Sequence, residues 1–187
     1  ISALCVADGH QVRIVGWSEH FKLQHNPYWE YRHSAAVSIE SLCPSPELLA
    51  FLRLAMKYLG LFGIFGCDFV RTLDDQLKLV DLNPRVTATA PLHIAEDELI
   101  DLHLSPVKGI EKQSSAAASA IVYADIPIRI TKTLDWPLWV SDLPTEARVY
   151  HSAEPVCTIH CRAENAEAAK SLLIERFNEL MALLQQA

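Results

Sequence analysis

Asp68, Asp81, Asn83 and Arg85 are the side chains whose types and spacing could do chemistry together. Gly66 to Arg71 is rich enough in aromatic and β-branched residues for one strand, and Leu77 to Leu82 answers it as a second. Asp74 and Asp75 between them are turn residues, because a short carboxylate side chain hydrogen-bonds its own backbone. If these two centre an even-membered loop, Phe69 faces Val80 and Asp68 faces Asp81. Side chains alternate between the faces of a strand, so Asn83 lies on the same side as Asp81. One face of the hairpin then carries Asp68, Asp81 and Asn83, and the other Phe69, Val80 and Leu82.

Carboxylates directly opposite one another stand about 4.5–5.5 Å apart at Cβ and repel. A shared proton, with one pKa raised, would offset that repulsion. A hard divalent cation would also do so, and two carboxylates with an amide oxygen suit Mg²⁺ or Mn²⁺. Arg85, just after Pro84, adds a cation near the same edge. A metal beside an arginine points to phosphate, whose oxygens both neutralise. The competing reading is a solvated polar face on an ordinary hairpin, which an odd-membered loop would favour by separating the two carboxylates.

The run Gly63-Ile64-Phe65-Gly66-Cys67-Asp68-Phe69, followed by Val80-Asp81-Leu82-Asn83-Pro84-Arg85, resembles the C-terminal half of the ATP-grasp fold. In that family a strand ending in Asp-Phe pairs with one reading Glu-x-Asn-Pro-Arg. The resemblance implies an α+β fold, an antiparallel sheet flanked by helices. It also implies Asp68, Asp81 and Asn83 as ligands of one or two Mg²⁺ ions (or Mn²⁺) bridging the phosphates of ATP. Asn83 and Arg85 would contact the nucleotide, with Arg85 as the catalytic phosphate contact. Asp81 stands where the family has Glu, and its shorter arm puts bidentate bridging of two metals in question. Ser2-x-Leu4-x-x-Ala7-Asp8-Gly9 resembles the hairpin that follows the adenine-binding strand, and the Gly-rich loop and ATP-binding lysines lie further upstream in such proteins. The expectation is therefore a C-terminal portion of a longer ATP-grasp domain, with residues 105–187 as a small α/β appendage. Such a fragment alone would bind ATP poorly and be inactive.

Composition agrees with a folded domain. The chain has 187 residues, half of them hydrophobic, with 21% charged, enough material for a core and unlike a disordered profile. A net charge of −7 argues against nucleic acid or an anionic membrane as principal partner. No apolar run reaches the roughly 18 residues that span a bilayer. Five cysteines, scattered rather than framework-spaced, suggest a reducing cytoplasm.

The elements that would position the four residues follow in order. Ile1 to Ala7 and Gln11 to Gly16 flank Asp8-Gly9, a strong hairpin signal, with Ala3, Cys5, Val12 and Ile14 on its buried face. Residues 17 to 45 hold His20, His25 and His33 among Trp17, Phe21, Tyr28, Trp29 and Tyr31, with a turn at Asn26-Pro27 and a strand at Ala35 to Ile39. His20 is a candidate for facing the site; an ordinary loop is the simpler reading. Ser45 caps a helix with Pro46 at its first position and Gly60 at its end. Leu48, Leu49, Leu52, Ala55, Met56 and Leu59 form its core stripe. After the hairpin, the threonines of Val86 to Ala90 could contact a phosphate or an acceptor substrate, or simply complete a turn. Glu96 to Leu104 reads as a short helix, with His93 and His103 as surface or packing histidines.

Lys112 to Ala118 reads as a mobile loop and Ala120 to Ile130 as a strand that Pro127 confines to an edge or a bulge. Cys157, His160 and Cys161 tempt a zinc reading, but a strand places the two cysteines on one face and the histidine on the other. Glu164 to Gln186 closes the chain as a helix, with Ala168, Leu172, Leu173, Phe177, Leu180 and Leu184 on one stripe. Together with Ala124-Asp125-Ile126-Pro127, the tail resembles an ATP-grasp subgroup of predicted carboligases and methanopterin-linked amine ligases. That resemblance implies ATP, a small carboxylate and an amine as partners, with ligation through an acyl phosphate, and a homodimer is compatible with it. A non-catalytic scaffold with a degenerate fold, or a metal-dependent phosphohydrolase, is the alternative.

Overall fold

Asp8 builds the first turn of the chain. Its Oδ1 accepts the backbone N–H groups of Gln11 at 2.7 Å and His10 at 2.8 Å, and these donors hold its carboxyl below the usual range. Gly9 takes the positive φ of 87° that the turn requires. The flanking residues form β1 (Ser2–Ala7) and β2 (Val12–Phe21), paired antiparallel. The computed structural model describes residues 1–23, 34–40, 42–107, 109, 113–131 and 134–185. His25, His33, Tyr28, Trp29, Tyr31 and the Asn26-Pro27 turn lie outside the described residues, as do Lys112 and Gln186.

The chain forms two compact units, Ile1–Glu19 with Ser38–Ser114 and His20–Val37 with Ser115–Ala187. The first holds β4 (Gly63–Arg71) and β5 (Leu77–Asn83), and its strands run in the order β5-β4-β1-β2. α1 (Pro46–Leu59) begins at Ser45, whose Oγ accepts from Leu48 N at 3.2 Å, and ends at Gly60 with φ 63°. Its Leu52 and Met56 pack with Ala3, Cys5, Trp17, Phe65, Cys67 and Phe69 over one face of these strands. Trp17 stacks at a tilt against Phe69, centroids 5.6 Å apart. Leu59, expected on the core stripe, is instead 62% exposed as the last residue of the helix. On the other face Leu4, Val6 and Ile64 pack with Ala90 of a 3₁₀ turn (Ala90–Leu92), Ile94 just after it and Leu102 of α2 (Glu96–Leu104). Ile64 N donates to His103 Nδ1 at 3.0 Å, so His103 is a packing residue.

The second unit takes in the first residues of β3 (Ala35–Ile39), then β6 (Ala116–Tyr123), β7 (Ile128–Ile130), β8 (Val140–Ser141), β9 (Arg148–Tyr150) and β10 (Pro155–Ala163). β3-β6-β10-β8 run antiparallel, and β7 pairs with β9 separately. Two expectations are corrected here. The small-residue stretch Ala116–Ala118 is strand rather than loop, since alanines fit the close-packed middle of a sheet. The single strand expected over Ala120 to Ile130 is two, broken before Pro127, which cannot donate to a ladder. α3 (Ala166–Leu184), capped by Asn165 through Ala168 N at 2.9 Å, buries Ala169, Leu173, Leu180 and Leu184. Ala169 takes the place expected of Ala168. No described helix is long and apolar enough to cross a membrane.

Trp17→Ala is expected to cost about 3–5 kcal/mol, Ser45→Ala about 1 kcal/mol, and Leu59→Ala within about 0.5 kcal/mol, read from urea midpoints at constant m-value.

Candidate functional site

The β4–β5 hairpin turns through residues 72–76, an odd-membered connection closed by Thr72 N on Gln76 O at 2.9 Å and Gln76 N on Thr72 Oγ1 at 3.1 Å. The even-membered loop expected around Asp74 and Asp75 is therefore wrong. Near the turn Arg71 pairs with Leu77 and Phe69 with Leu79, not Val80. Continued unbroken, that register would put Asp81 opposite Cys67 and aim it into the core. A β-bulge between Asp68 and Phe69 intervenes, with Val80 as the extra residue. Val80 turns outward and is 61% exposed, while Leu79 and Leu82 both pack on the core. Beyond the bulge Asp68 pairs with Asp81, Cys67 with Leu82 and Gly66 with Asn83. The two carboxylates meet as expected, through a bulge rather than an even turn.

Asn83 joins them. Its Nδ2 donates to Asp68 Oδ2 at 3.1 Å and to Asp81 Oδ2 at 3.0 Å. Asp81 Oδ1 also accepts the N–H of Leu82 at 2.9 Å. Arg85 lies beside them: its Nη2 is 3.5 Å from Asn83 Oδ1, a long contact, and its Nη1 donates to Val86 O at 3.1 Å. All four expected residues are thus brought together on one side of the hairpin. The amide's partial positive charge stands where the two carboxylates converge, a place suited to a cation. Turning the Asn83 amide about its terminal torsion would present Oδ1 there, giving three hard oxygen ligands, the donor set that Mg²⁺ takes. No group of three His, Cys, Asp or Glu residues gathers among the described residues, so the fit rests on two carboxylates and an amide.

The polar row continues across the sheet. Asp68 pairs with Ser2, and Ser2 with Ser18. Both serines are buried, and Ser18 Oγ lies 2.8 Å from His93 Nε2. Reading the sequence missed Ser2, Ser18 and this role of His93. The available signal was Gly16-Trp17-Ser18, a polar residue one pleat from a glycine on a strand whose core face was otherwise clear. Thr87 and Thr89 bond each other through their hydroxyls at 3.1 Å, and Ala90 N donates to Thr87 O at 3.0 Å, so this stretch completes a turn. His20 is exposed near the end of β2 and belongs to the second unit.

Three buried thiols, Cys5, Cys157 and Cys161, are held away from the thiolate form. Cys5 is raised by its hydrogen bond with Cys67 and by burial. Burial pushes Cys157 up to about 12 and raises Cys161. Cys161 Sγ donates to Ala169 O, whereas His160 contacts Ser141 Oγ at 2.6 Å on the other face of β10.

No protein-family model and no curated protein matches the sequence. Solved structures do match the fold. The phosphoribosylaminoimidazole carboxylase ATPase subunit from Aquifex aeolicus aligns with 98% of this chain and 55% of its own, at 14% identity and a TM-score of 0.66. The L-amino acid ligase from Bacillus licheniformis aligns with 93% of this chain and 49% of its own, at 11% identity and 0.65. A biotin carboxylase domain from Hydrogenobacter thermophilus, solved with MgADP and bicarbonate, aligns with 92% and 43%, at 11% and 0.62. These neighbours are ATP-grasp enzymes, and the chain has the α+β fold of an ATP-grasp subdomain. It spans about half the length of the solved structures it matches.

Facing carboxylates cost stability without a cation, so Asp81→Asn in the full-length protein should match or exceed wild type by about 0.2–1 kcal/mol in chelator. The same variant should lose the rise in melting temperature that millimolar Mn²⁺ gives wild type. A lower melting point with an intact Mn²⁺ shift would contradict the assignment.

Proposed function

We propose that this chain is the C-terminal portion of an ATP- and Mg²⁺-dependent ATP-grasp ligase that joins a carboxylate to an amine through an acyl phosphate. The observation that carries the proposal is the bridging of Asp68 and Asp81 by Asn83, with the Arg85 guanidinium alongside, in a fold shared with ATP-grasp enzymes. Asp68, Asp81 and Asn83 would hold the ion. When bound, it would neutralise charge on the phosphoryl oxygens and so ease attack by a substrate carboxylate.

Arg85 would bind the same phosphate through its guanidinium, which matches phosphoryl geometry better than a lysine ammonium. Its contribution would be electrostatic and positional rather than proton transfer. Its N–H bond from the backbone to Asn83 O at 2.8 Å and its Nη1 bond to Val86 O limit its reach to the vicinity of Asn83. With Asp81 in place of Glu, one ion rather than a bridged pair fits the shorter arm. The tail's resemblance to the carboligase and methanopterin-linked amine ligase subgroup supports an amine as the acceptor. A cytoplasmic protein acting on small molecules fits the acidic charge and the scattered cysteines.

In the full-length protein Asn83→Ala and Arg85→Ala should each lower amine-dependent ATP turnover by about 10²–10³-fold, measured as ADP release with and without an amine acceptor. Arg85→Ala should leave the melting temperature little changed, whereas Asn83→Ala should lower it modestly in chelator, because Asp68 and Asp81 lose the amide that bridges them. Wild-type-like turnover in Asn83→Ala would refute the ligase reading. Phosphate release by wild type that ignores the amine would make it a phosphohydrolase, and no metal-dependent nucleotide binding at all would make it a scaffold.

A further inference from the structure

Two strands of the first unit carry the same device. On β4, Gly66 is followed one pleat later by Asp68; on β2, Gly16 is followed one pleat later by Ser18. Both glycines pair with Leu4 of β1, one from either side. Neither has the positive φ that would call for glycine on conformational grounds. Each is needed for space. A Cβ on Gly66 would lie 2.4 Å from Thr87 Cγ2, and one on Gly16 would lie 2.2 Å from His93 Nδ1. Thr87 and His93 therefore rest directly on bare backbone. At each seat the polar residue two positions on makes a hydrogen bond, Asp68 with Asn83 Nδ2 at 3.1 Å and Ser18 with His93 Nε2 at 2.8 Å.

These two seats hold the two ends of one segment. Between Asn83 and His93 the chain crosses the sheet face, laced by Ala90 N on Thr87 O, Leu92 N on Thr89 O and His93 N on Ala90 O at 3.0–3.1 Å. Arg85 lies within that span. Its own contacts are to Asn83, the last residue of β5, and to Val86 in the segment, so the strand end and the segment that continues from it together set where the guanidinium stands. Packing of Ala90 and Ile94 against Leu4 and Val6 would hold any apolar loop in place. It does not account for a buried serine hydroxyl matched to an imidazole, a pairing that costs free energy to bury and specifies one position.

We infer that His93 is a positioning residue: seated on Gly16 and bonded to Ser18, it fixes the distal end of the loop that carries Arg85 and so helps to set where that guanidinium stands. The inference rests on the ligase reading only for what Arg85 is aimed at; the anchoring itself is a property of the chain alone. Loss of the anchor should loosen the loop while leaving the β4–β5 hairpin, held by its own ladder, unchanged.

Backbone hydrogen exchange on the full-length protein without nucleotide tests this, comparing wild type with Gly16→Ala, His93→Ala, Ser18→Ala and His93→Gln. Removing the anchor should speed exchange of the Ala90, Leu92 and His93 amides by about tenfold, the scale of one buried hydrogen bond, with Cys67 and Phe69 amides unchanged. His93→Gln, whose amide nitrogen can reach Ser18 Oγ, should recover most of the protection. Binding of an ATP analogue with Mg²⁺ should weaken in His93→Ala and recover in His93→Gln. Wild-type exchange in both His93→Ala and Ser18→Ala would overturn the inference, and so would a loosened loop that binds the analogue as wild type does. Should Gly16→Ala not fold, the other variants decide the matter. A wild type that binds no nucleotide would count against the ligase reading, and the exchange data would still judge the anchor.

Discussion

Two carboxylates facing each other across adjacent strands cannot be left uncompensated, and one amide group answers for both. Asn83 Nδ2 bonds Asp68 and Asp81 at nearly equal distances, placing a partial positive charge between two negative ones. The rest of the first unit serves that arrangement. β1, buried along its whole length, fixes β4; the cluster around Trp17, Phe65 and Phe69 fixes the opposite face of the same strands. The bulge at Val80 turns Asp81 out of the core. Without that one extra residue the pleat would place Asp81 against Cys67, and the site would not exist.

The fold could be read from the sequence wherever local chemistry decides structure. Asp8-Gly9, Ser45-Pro46 and Gly60 each name a turn or a helix end by conformational preference alone, and all three lie where expected. The strands around the site were legible for the same reason. The convergence of Asp68, Asp81, Asn83 and Arg85 could also be anticipated, although the route to it was misjudged. A bulge is set by how Leu79 and Leu82 both reach the core beneath α1 while Val80 turns out between them, a tertiary matter that no two-residue turn signal reports. The break between β6 and β7 was hidden likewise, because Ala124 to Pro127 offers apolar residues that a continuous strand would also use.

Least legible was the far end of the loop after β5. His93 and Gly16 are 77 positions apart (93 less 16), and nothing local to either announces the other. Glycine in a strand reads as a weakness or a bulge; here the missing side chain is the space an imidazole fills. Serine 18 reads as an ordinary polar strand residue until its burial is known. Both belong to the same economy as Gly66 and Asp68, in which absent side chains on the sheet face admit a loop that polar neighbours then tie down. The candidate site thus has a near wall that sequence can announce and a far wall that only three-dimensional structure can.

Metal binding at this site requires Asn83 to exchange its bonds to two carboxylates for a bond to the ion. Anomalous diffraction from crystals of the full-length protein grown with Mn²⁺ and a non-hydrolysable ATP analogue measures this directly. A Mn²⁺ peak about 2.0–2.4 Å from carboxylate oxygens of Asp68 and Asp81, with Asn83 Oδ1 turned toward it and Arg85 against the terminal phosphate, is the predicted result. Nucleotide bound with its Mn²⁺ elsewhere, while Asn83 Nδ2 still spans the two carboxylates, would contradict it.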